Sequence, residues 1–257
     1  MKYQFIDVIF TDDIMEVSIQ RPDVLNALNS QAHSELADTF DKFAKDSALN
    51  IAVIRGSGER AFCVGSDLKE RSEFGSDRMP PSGFAGLTER FDLDKPVIAL
   101  VNGDAIGGGL EILLACDLAI AVDTAHFGLP EPKVGLAASG GLHRLARQLP
   151  LKRAMEISLM GNLFDAVTAM NIGLINEVVP RQSLENTKKK YLSNLKECAP
   201  LALLATKQMI LKGLEQGSLE NAFRANYPSF QRMLASEDAK EGVQAFAEKR
   251  KPVWKCR

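Results

Sequence analysis

The first part of the chain alternates apolar and polar positions with a period of two, and then changes to helical spacing. Residues 5–10 and 14–19 follow the strand pattern on either side of three polar residues. The pattern predicts two strands joined by a tight turn. Asn29 or Ser30 can then cap a helix, and the apolar spacing predicts that this helix runs to about Lys45.

Farther along, short apolar runs occur without alternation at residues 51–54, 96–101 and 118–122. Uninterrupted runs of this length are typical of strands that are buried on both faces of a parallel sheet. From about Leu184 onward the spacing is helical, with a break expected at Pro228. We therefore expect an α/β protein with a largely parallel sheet and a helical tail.

Residues 71–86 differ from the segments around them. They contain three glycines and two prolines between charged side chains. Glycine and proline disfavour regular structure, and loops of this composition lie on the surface. The composition predicts a mobile surface segment near the mouth of a site.

Composition narrows the class of protein. The 257 residues allow one large domain or one domain with an appendage, and 46% are hydrophobic. The formal net charge of -2 argues against a nucleic-acid partner. The four cysteines form no CxxC pair, charges interrupt the N-terminal segment, and no apolar run approaches the ~20 residues of a membrane span. We expect a cytoplasmic protein with reduced thiols and no membrane contact.

The strongest chemical signal is a run of three glycines, Gly107 to Gly109, which stands directly before an apolar helix. Glycine leaves the backbone amides open to a ligand, and the first amides of a helix attract negative charge. Glu111 lies one turn into this helix, and Glu131 arrives from a separate segment. Together they could transfer protons beside a stabilised oxyanion. Each acid also has a plain interpretation, as a helix-dipole partner or a solvated loop acid.

A second glycine-bearing turn precedes a predicted helix at Gly65 and Ser66. Alone, it is an ordinary strand-to-helix connection. With the first turn, it could direct a second amide at the same oxygen. The three histidines lack the spacing of metal ligands, so no metal is expected. No G-x-S-x-G or nucleotide-binding glycine motif is present, and the charged residues 248–251 are either a solvated helix end or a phosphate contact.

Motifs of one protein family occur in order along nearly the whole chain. They are Arg21-Pro22, Asn26-Ala27-Leu28, Ala61-Phe62, Gly65-Ser-Asp-Leu-Lys69, Asn102-Gly103, Gly107-Gly-Gly-Leu-Glu111, Phe127-Gly-Leu-Pro-Glu131 and Gly140-Gly141. In this order and spacing they resemble the enoyl-CoA hydratase/isomerase (crotonase) family. Residues 83–89, 91–96 and 245–255 resemble one dehydratase of that family more narrowly.

The resemblance implies an α/β fold with a crotonase-like spiral of ββα turns and a helical C-terminal trimerisation region. We place the spiral core with its active site at residues 1–195 and the helical region at residues 196–257. The same resemblance implies a homotrimer or a dimer of trimers.

The resemblance also assigns roles within the site. The thioester carbonyl of an acyl-CoA would lie between the backbone amides of Ser66 and Gly108. Glu131 would exchange the proton at C2, and Glu111 would hold and activate water. Coenzyme A would be part of the substrate, with no further cofactor. Contacts to its adenine and ribose-phosphate are implied at Val64, Lys69, Phe246 and Lys249.

A family member with both acids is expected to be a lyase that adds or removes water across the C2–C3 bond, in fatty-acid or carnitine metabolism. Double-bond isomerisation or other enolate chemistry of the family is the alternative. An acyl-CoA-binding protein without activity is the alternative of another class. Ser66 stands where the family often has alanine, which keeps the amide. Because of this serine and the polar residues Asp104 and His143, the sequence does not identify the acyl group of the substrate.

Overall fold

The computed structural model describes residues 3–74 and 79–257. Strands β1 (Ile6–Thr11) and β2 (Ile14–Ile19) form the expected antiparallel hairpin. The backbone reverses through Asp12, whose φ of 53° is the left-handed geometry of tight hairpin turns. In β2, the side chains of alternate residues are buried, as the period of two predicts.

A six-stranded sheet in the order β1-β2-β3-β5-β7-β10 forms the larger layer. Apart from the hairpin, its neighbouring strands are parallel. The three apolar runs that were predicted as strands lie at β3, β5 and β7, and these strands are almost entirely buried. The added strands are β3 (Ile51–Gly56), β5 (Val97–Val101), β7 (Leu118–Val122) and β10 (Glu177–Val179).

A smaller sheet positions the site. It has the order β4-β6-β8-β9, in which β4, β6 and β8 are parallel and β9 is antiparallel. Parallel strands end at the same edge of a sheet, so the segments that follow β4, β6 and β8 lie side by side. The strands are β4 (Ala61–Cys63), β6 (Asp104–Ile106), β8 (His126–Gly128) and β9 (Phe164–Asp165).

Helices flank these strands in the same compact unit, which comprises the chain to Phe91 and Val97–Lys188. The first helix begins where the sequence predicts, because the Asn29 side chain accepts a hydrogen bond from the Ala32 N–H at 2.9 Å. The glycine run opens α3, whose residues are almost all buried. The helices are α1 (Ser30–Lys45), α2 (Leu68–Phe74), α3 (Gly108–Ala115), α4 (Leu142–Gln148), α5 (Leu151–Met160) and α6 (Ala166–Asn171).

The second unit is helical, and it joins residues 92–96 to residues 189–257. The Asp94 carboxylate accepts hydrogen bonds from Gln208 and Ser229 at 2.6 and 2.7 Å, which ties the short segment to the helices. The expected break occurs, since one helix ends at Arg224 and the next begins at Pro228. The helices are α7 (Leu184–Lys196, which contains the boundary between the units), α8 (Pro200–Leu214), α9 (Leu219–Arg224), α10 (Pro228–Leu234) and α11 (Glu237–Ala247).

The predicted domain boundary at 195/196 stays a prediction. Within the described residues, every helix is too short or too polar to cross a membrane.

The prediction of a mobile surface segment at residues 71–86 is wrong where Phe84–Gly86 form a buried 3₁₀ turn. Residues 75–78 of that segment lie outside the described residues. Gly86 packs so closely on Ala37 of α1 that a Cβ at Gly86 would overlap the helix backbone. Gly83 and Gly86 therefore serve a tight, buried turn with positive φ angles, not exposure to solvent.

Candidate active site

Two glycine loops meet backbone to backbone at the edge of the smaller sheet. A Cβ built at Gly65, after β4, would lie 3.0 Å from the Gly108 nitrogen. A Cβ at Gly109 would overlap the carbonyl oxygen of Cys63. The sequence needs glycine at these positions because any side chain would push the two loops apart. The two glycine-bearing turns, which were predicted to direct amides at the same oxygen, therefore lie in contact with each other.

The geometry around Ser66 turns its amide away from the neighbouring strand. The Leu28 N–H donates to the Gly65 carbonyl at 2.8 Å, and the Asp67 N–H donates to the Leu28 carbonyl at 2.8 Å. In such a parallel bridge the residue between the two bonds directs its own N–H to the opposite side. The N–H of Gly108, the first residue of α3, has no acceptor within that helix. Two amides on adjoining loops could therefore serve one anionic oxygen.

A polar cluster braces the first of these loops. The Arg21 guanidinium forms an ion pair with Asp67 at 2.9 Å and also donates to the Ala27 carbonyl. The side-chain amide of the buried Asn26 donates to the Ala61 carbonyl at 2.8 Å. These bonds attach the N-terminal segment to the start of β4 and to Asp67, which follows Ser66, and so keep the Ser66 amide in a defined position.

Glu111 is buried, with 6% of its surface exposed, and its side chain faces the adjacent glycines Gly140 and Gly141. Cβ atoms built at Gly140 and Gly141 would approach its side chain to 3.1 and 3.0 Å. Burial and, secondarily, the charge of Glu131 raise the Glu111 pKa to about 7, while the Gly140 and Gly141 amides act in the opposite direction. Its Oε1 atom is buried without a hydrogen-bond partner among the described residues.

Glu131 begins a 3₁₀ turn directly after β8 and extends toward the glycine run. Its Oε1 atom would lie only 2.9 Å from a Cβ at Gly107, where the backbone has a φ of 57°. Burial raises the Glu131 pKa. Within the part of the chain that is described, its buried Oε2 atom has no partner. Glu131 is therefore not a solvated loop acid, and it lies close enough to Glu111 for their charges to interact.

Phe84 of the buried turn and Thr88, which follows the turn, both contact this site, and the sequence assigned neither of them a role. The Phe84 ring lies against the α-carbon of Gly108, where a Cβ would overlap it. The Thr88 hydroxyl accepts a hydrogen bond from the Phe84 N–H at 2.8 Å and lies beside Gly140, close to Glu111. Phe84 lies in the glycine-rich segment that we interpreted as a surface loop, and both residues lie in the stretch 83–89, which was singled out only for its narrower family resemblance.

The residues expected to contact coenzyme A lie in both units. Val64 is half-buried directly after β4, and Lys69 is exposed in α2. Phe246 is 88% exposed in the last turn of α11, and Lys249 follows with a left-handed φ of 55°. These contacts stay predictions.

The two polar departures from the family pattern have different surroundings. Asp104 accepts a hydrogen bond from the His126 N–H at 2.9 Å, across β6 and β8. His143 is exposed on α4. Among the described residues, no group of three or more histidine, cysteine or acidic side chains is arranged to hold a metal ion.

The fold and the site together define an α/β enzyme, in which two partly desolvated carboxyls lie beside adjoining glycine loops at the edge of the smaller sheet. The chain belongs to the enoyl-CoA hydratase/isomerase family, whose model matches residues 10–257.

Relatives of known name and structure agree with this membership. Carnitinyl-CoA dehydratases from Citrobacter koseri and Escherichia coli are each 42% identical over 95% of both chains. An enoyl-CoA hydratase from Mycobacterium tuberculosis superposes with a TM-score of 0.91 at 35% identity, covering 98% of this chain and 99% of that one. A carnitinyl-CoA hydratase from Mycobacterium avium gives a TM-score of 0.78 at 40% identity over the whole of both chains. The crotonase-like fold is therefore confirmed, and the narrower resemblance seen at residues 83–89 is to carnitinyl-CoA dehydratase.

Proposed function

We propose that this protein reversibly adds water across the C2–C3 double bond of an enoyl-CoA thioester. The observation that carries the proposal is the proximity of two carboxyls at the glycine run: Glu131 lies against Gly107, and Glu111, one turn into the helix that this run opens, is close enough for the charge of Glu131 to act on it. The pKa of each carboxyl is raised. With a pKa of about 7, Glu111 can exchange protons near neutral pH, and the raised pKa of Glu131 makes it a better proton donor than a solvated glutamate.

In this proposal the amides of Ser66 and Gly108 donate to the thioester oxygen. They stabilise the negative charge that develops on this oxygen as C3 is attacked or as the C2 proton leaves. Losing one such donor typically costs about 3–4 kcal/mol of transition-state stabilisation. Because both donors belong to the backbone, the serine at position 66 is compatible with this role.

The acids divide the proton transfers. During hydration Glu111 holds a water molecule and accepts its proton as oxygen bonds to C3, and Glu131 delivers a proton to C2. During dehydration each group acts in reverse. Hydration needs Glu111 ionised and Glu131 protonated, so the pair must hold one proton. Neighbouring carboxylates favour that state because two adjacent negative charges repel each other.

The remaining features of the proposal depend on the family and its members. Coenzyme A would contact Val64, Lys69, Phe246 and Lys249, and no other cofactor is needed by the steps above. The names of the relatives favour crotonobetainyl-CoA as an acyl substrate, in carnitine metabolism, with simpler enoyl thioesters of fatty-acid metabolism as alternatives. We also propose a cytoplasmic location and a trimer or a dimer of trimers.

Substitution of the acids tests the proposed roles. We expect Glu131→Gln and Glu111→Gln each to lower kcat roughly 10²–10⁴-fold with crotonyl-CoA or crotonobetainyl-CoA, because a positioned acid or base contributes about that factor. Steady-state kinetics with both substrates measures the change. Glu156→Gln, on the exposed face of α5, is the matched control and should retain wild-type kcat. Unchanged turnover of every accepted substrate by Glu131→Gln would refute its assigned role.

Labelled water separates hydration from isomerisation. Mass spectrometry in H₂¹⁸O should show an added labelled hydroxyl in the product of a 2-enoyl thioester and no product from a 3-enoyl thioester, which has no C2–C3 double bond. A shifted double bond without added oxygen would instead establish the isomerase alternative. Calorimetric binding of acyl-CoA without turnover across a broad panel of thioesters would establish the non-catalytic alternative.

A further inference from the structure

We propose that His33 is a positioning residue for the oxyanion hole, and that it acts through Ala85 and Phe84 on Gly108. The inference rests on the proposed role of the Gly108 amide. It concerns a side chain outside the glycine loops and the two acids.

His33 is completely buried on the inner face of α1. Its Nδ1 atom accepts a hydrogen bond from the Ala85 N–H at 3.1 Å, so the ring proton of the neutral imidazole lies on Nε2. The Nε2 atom is buried and has no partner among the described residues. Burial lowers the His33 pKa to about 4, which keeps the ring neutral and Nδ1 able to accept at ordinary pH.

The hydrogen bond is made to a strained part of the backbone. Ala85 has a φ of 54°, the left-handed region that non-glycine residues adopt at a cost, and it lies between Gly83 and Gly86, which also have positive φ. Alanine at this position must be held by its surroundings. The Nδ1 acceptor satisfies the Ala85 amide in this conformation, and so favours it over extended alternatives.

The turn in this conformation carries Phe84 between His33 and Gly108. The Phe84 ring packs edge-to-face with the imidazole, with ring centroids 4.5 Å apart. On the other side, the ring lies against Gly108, where a Cβ would overlap it. A continuous contact path thus runs from His33 to the first residue of α3. If the turn shifted, Gly108 would lose the packing that sets the direction of its N–H.

A chromophoric thioester tests this path directly. In 4-(dimethylamino)cinnamoyl-CoA, hydrogen bonds to the carbonyl oxygen polarise the conjugated system and move its absorption to longer wavelength. The shift in the bound state measures the oxyanion hole without any addition of water. The spectrum must be recorded at saturating protein, so that weakened binding does not lower the signal.

Three variants separate the roles of the histidine. His33→Leu retains apolar bulk and loses the acceptor, and we expect the red shift to fall by roughly half or more, with kcat lowered about 10-fold or more, because a displaced oxyanion donor loses most of its effect. His33→Asn keeps an acceptor at the δ position and should restore most of the shift. Ala85→Gly in the His33→Leu background should restore part of it, since glycine adopts the left-handed conformation without strain.

Thr39→Val on α1 is the control for general damage to that helix, because among the described residues its hydroxyl donates to the Glu35 carbonyl of the same helix and contacts no group of the site. It should leave the shift unchanged even if stability falls. If His33→Leu does not fold, Phe84→Leu interrupts the same path and should also reduce the shift.

The proposal would be overturned if folded His33→Leu gave a red shift as large as that of the wild-type protein. If His33→Leu does not fold, the same result in Phe84→Leu would overturn it. Absence of a shift in the wild-type protein would overturn both the oxyanion hole and this inference. A normal wild-type shift without water addition to any substrate would contradict the proposed function alone.

Discussion

At the scale of single residues, the site depends on how burial changes the two carboxyls. Glu111 and Glu131 both have a raised pKa, with burial as the first cause. A pair of this kind gains or loses a proton close to neutral pH, where ordinary surface glutamates are fully ionised. The sequence could identify both acids. It could not establish their pKa, which depends on burial and on contacts with glycines distant in the chain.

The raised Glu111 pKa makes a prediction about stability. In the folded protein its pKa is about 7, against an ordinary value of 4.5, so the folded state holds the proton more tightly. Its stabilising contribution is complete below pH 4.5 and is lost as pH rises through about 7. In Glu111→Gln this loss of stability does not occur, because the glutamine side chain does not ionise. Relative to wild type, the variant should therefore gain unfolding free energy between pH 4.5 and pH 8, on the order of 3 kcal/mol at most.

Urea denaturation at both pH values measures this gain. Glu156→Gln, at an exposed position, is the control. The difference between its unfolding free energy and that of wild type should be nearly the same at pH 4.5 and at pH 8. If the unfolding free energy of Glu111→Gln differed from that of wild type by the same amount at both pH values, Glu111 would not have the raised pKa that burial is expected to cause.

At the scale of elements, the position of α3 depends on its contact with β4. Gly109→Ala would place a methyl group on the Cys63 carbonyl, and neither backbone can move without separating the loops that hold Gly65 and Gly108. We expect a loss of at least about 3 kcal/mol of stability, the upper range for overpacking. Thermal unfolding and kcat should fall together.

The matched control for this change is Gly213→Ala in α8, where a Cβ finds ordinary van der Waals space. It should be neutral or stabilise by up to about 1 kcal/mol, because alanine has the higher helix propensity. A Gly109→Ala protein as stable as wild type would show that this contact is not needed.

Sequence pattern predicted the elements better than their arrangement. The β1–β2 hairpin, the three buried strands, the Asn29 cap of α1 and the break before Pro228 follow from local chemistry and periodicity. The burial of Phe84–Gly86 does not, because it depends on Ala37 and His33 of a distant helix. Composition alone cannot distinguish a glycine-rich turn that is covered by a helix from one in solvent.

At the scale of the whole molecule, several large apolar side chains are exposed on one face of α5. Leu151, Met155 and Leu159 follow one another at intervals of four along α5 and are 61%, 49% and 72% exposed. Helical residues at this spacing lie on one face. An exposed apolar stripe of this kind is typical of a protein–protein interface. It supports the proposed trimer or dimer of trimers.

Light scattering after size exclusion tests the assembly. The wild-type protein should have the mass of three or six chains. Leu159→Glu should shift the population toward smaller species, because the interface would then bury a charge without a partner. Glu156→Gln on the same helix should keep the wild-type mass. A monomeric wild-type protein would refute the assembly.

The Leu28–Ser66 bridge has a consequence for the order of assembly during folding. Its partners come from opposite sides of the α1 helix and the β3 strand in the sequence, so the stretch of chain that the bridge closes contains both of these elements. Contacts between remote segments form late because of the chain entropy that they cost. We therefore expect the bridge to form late in folding, and a fragment without the first thirty residues, which lacks Leu28, to leave Ser66 without this partner.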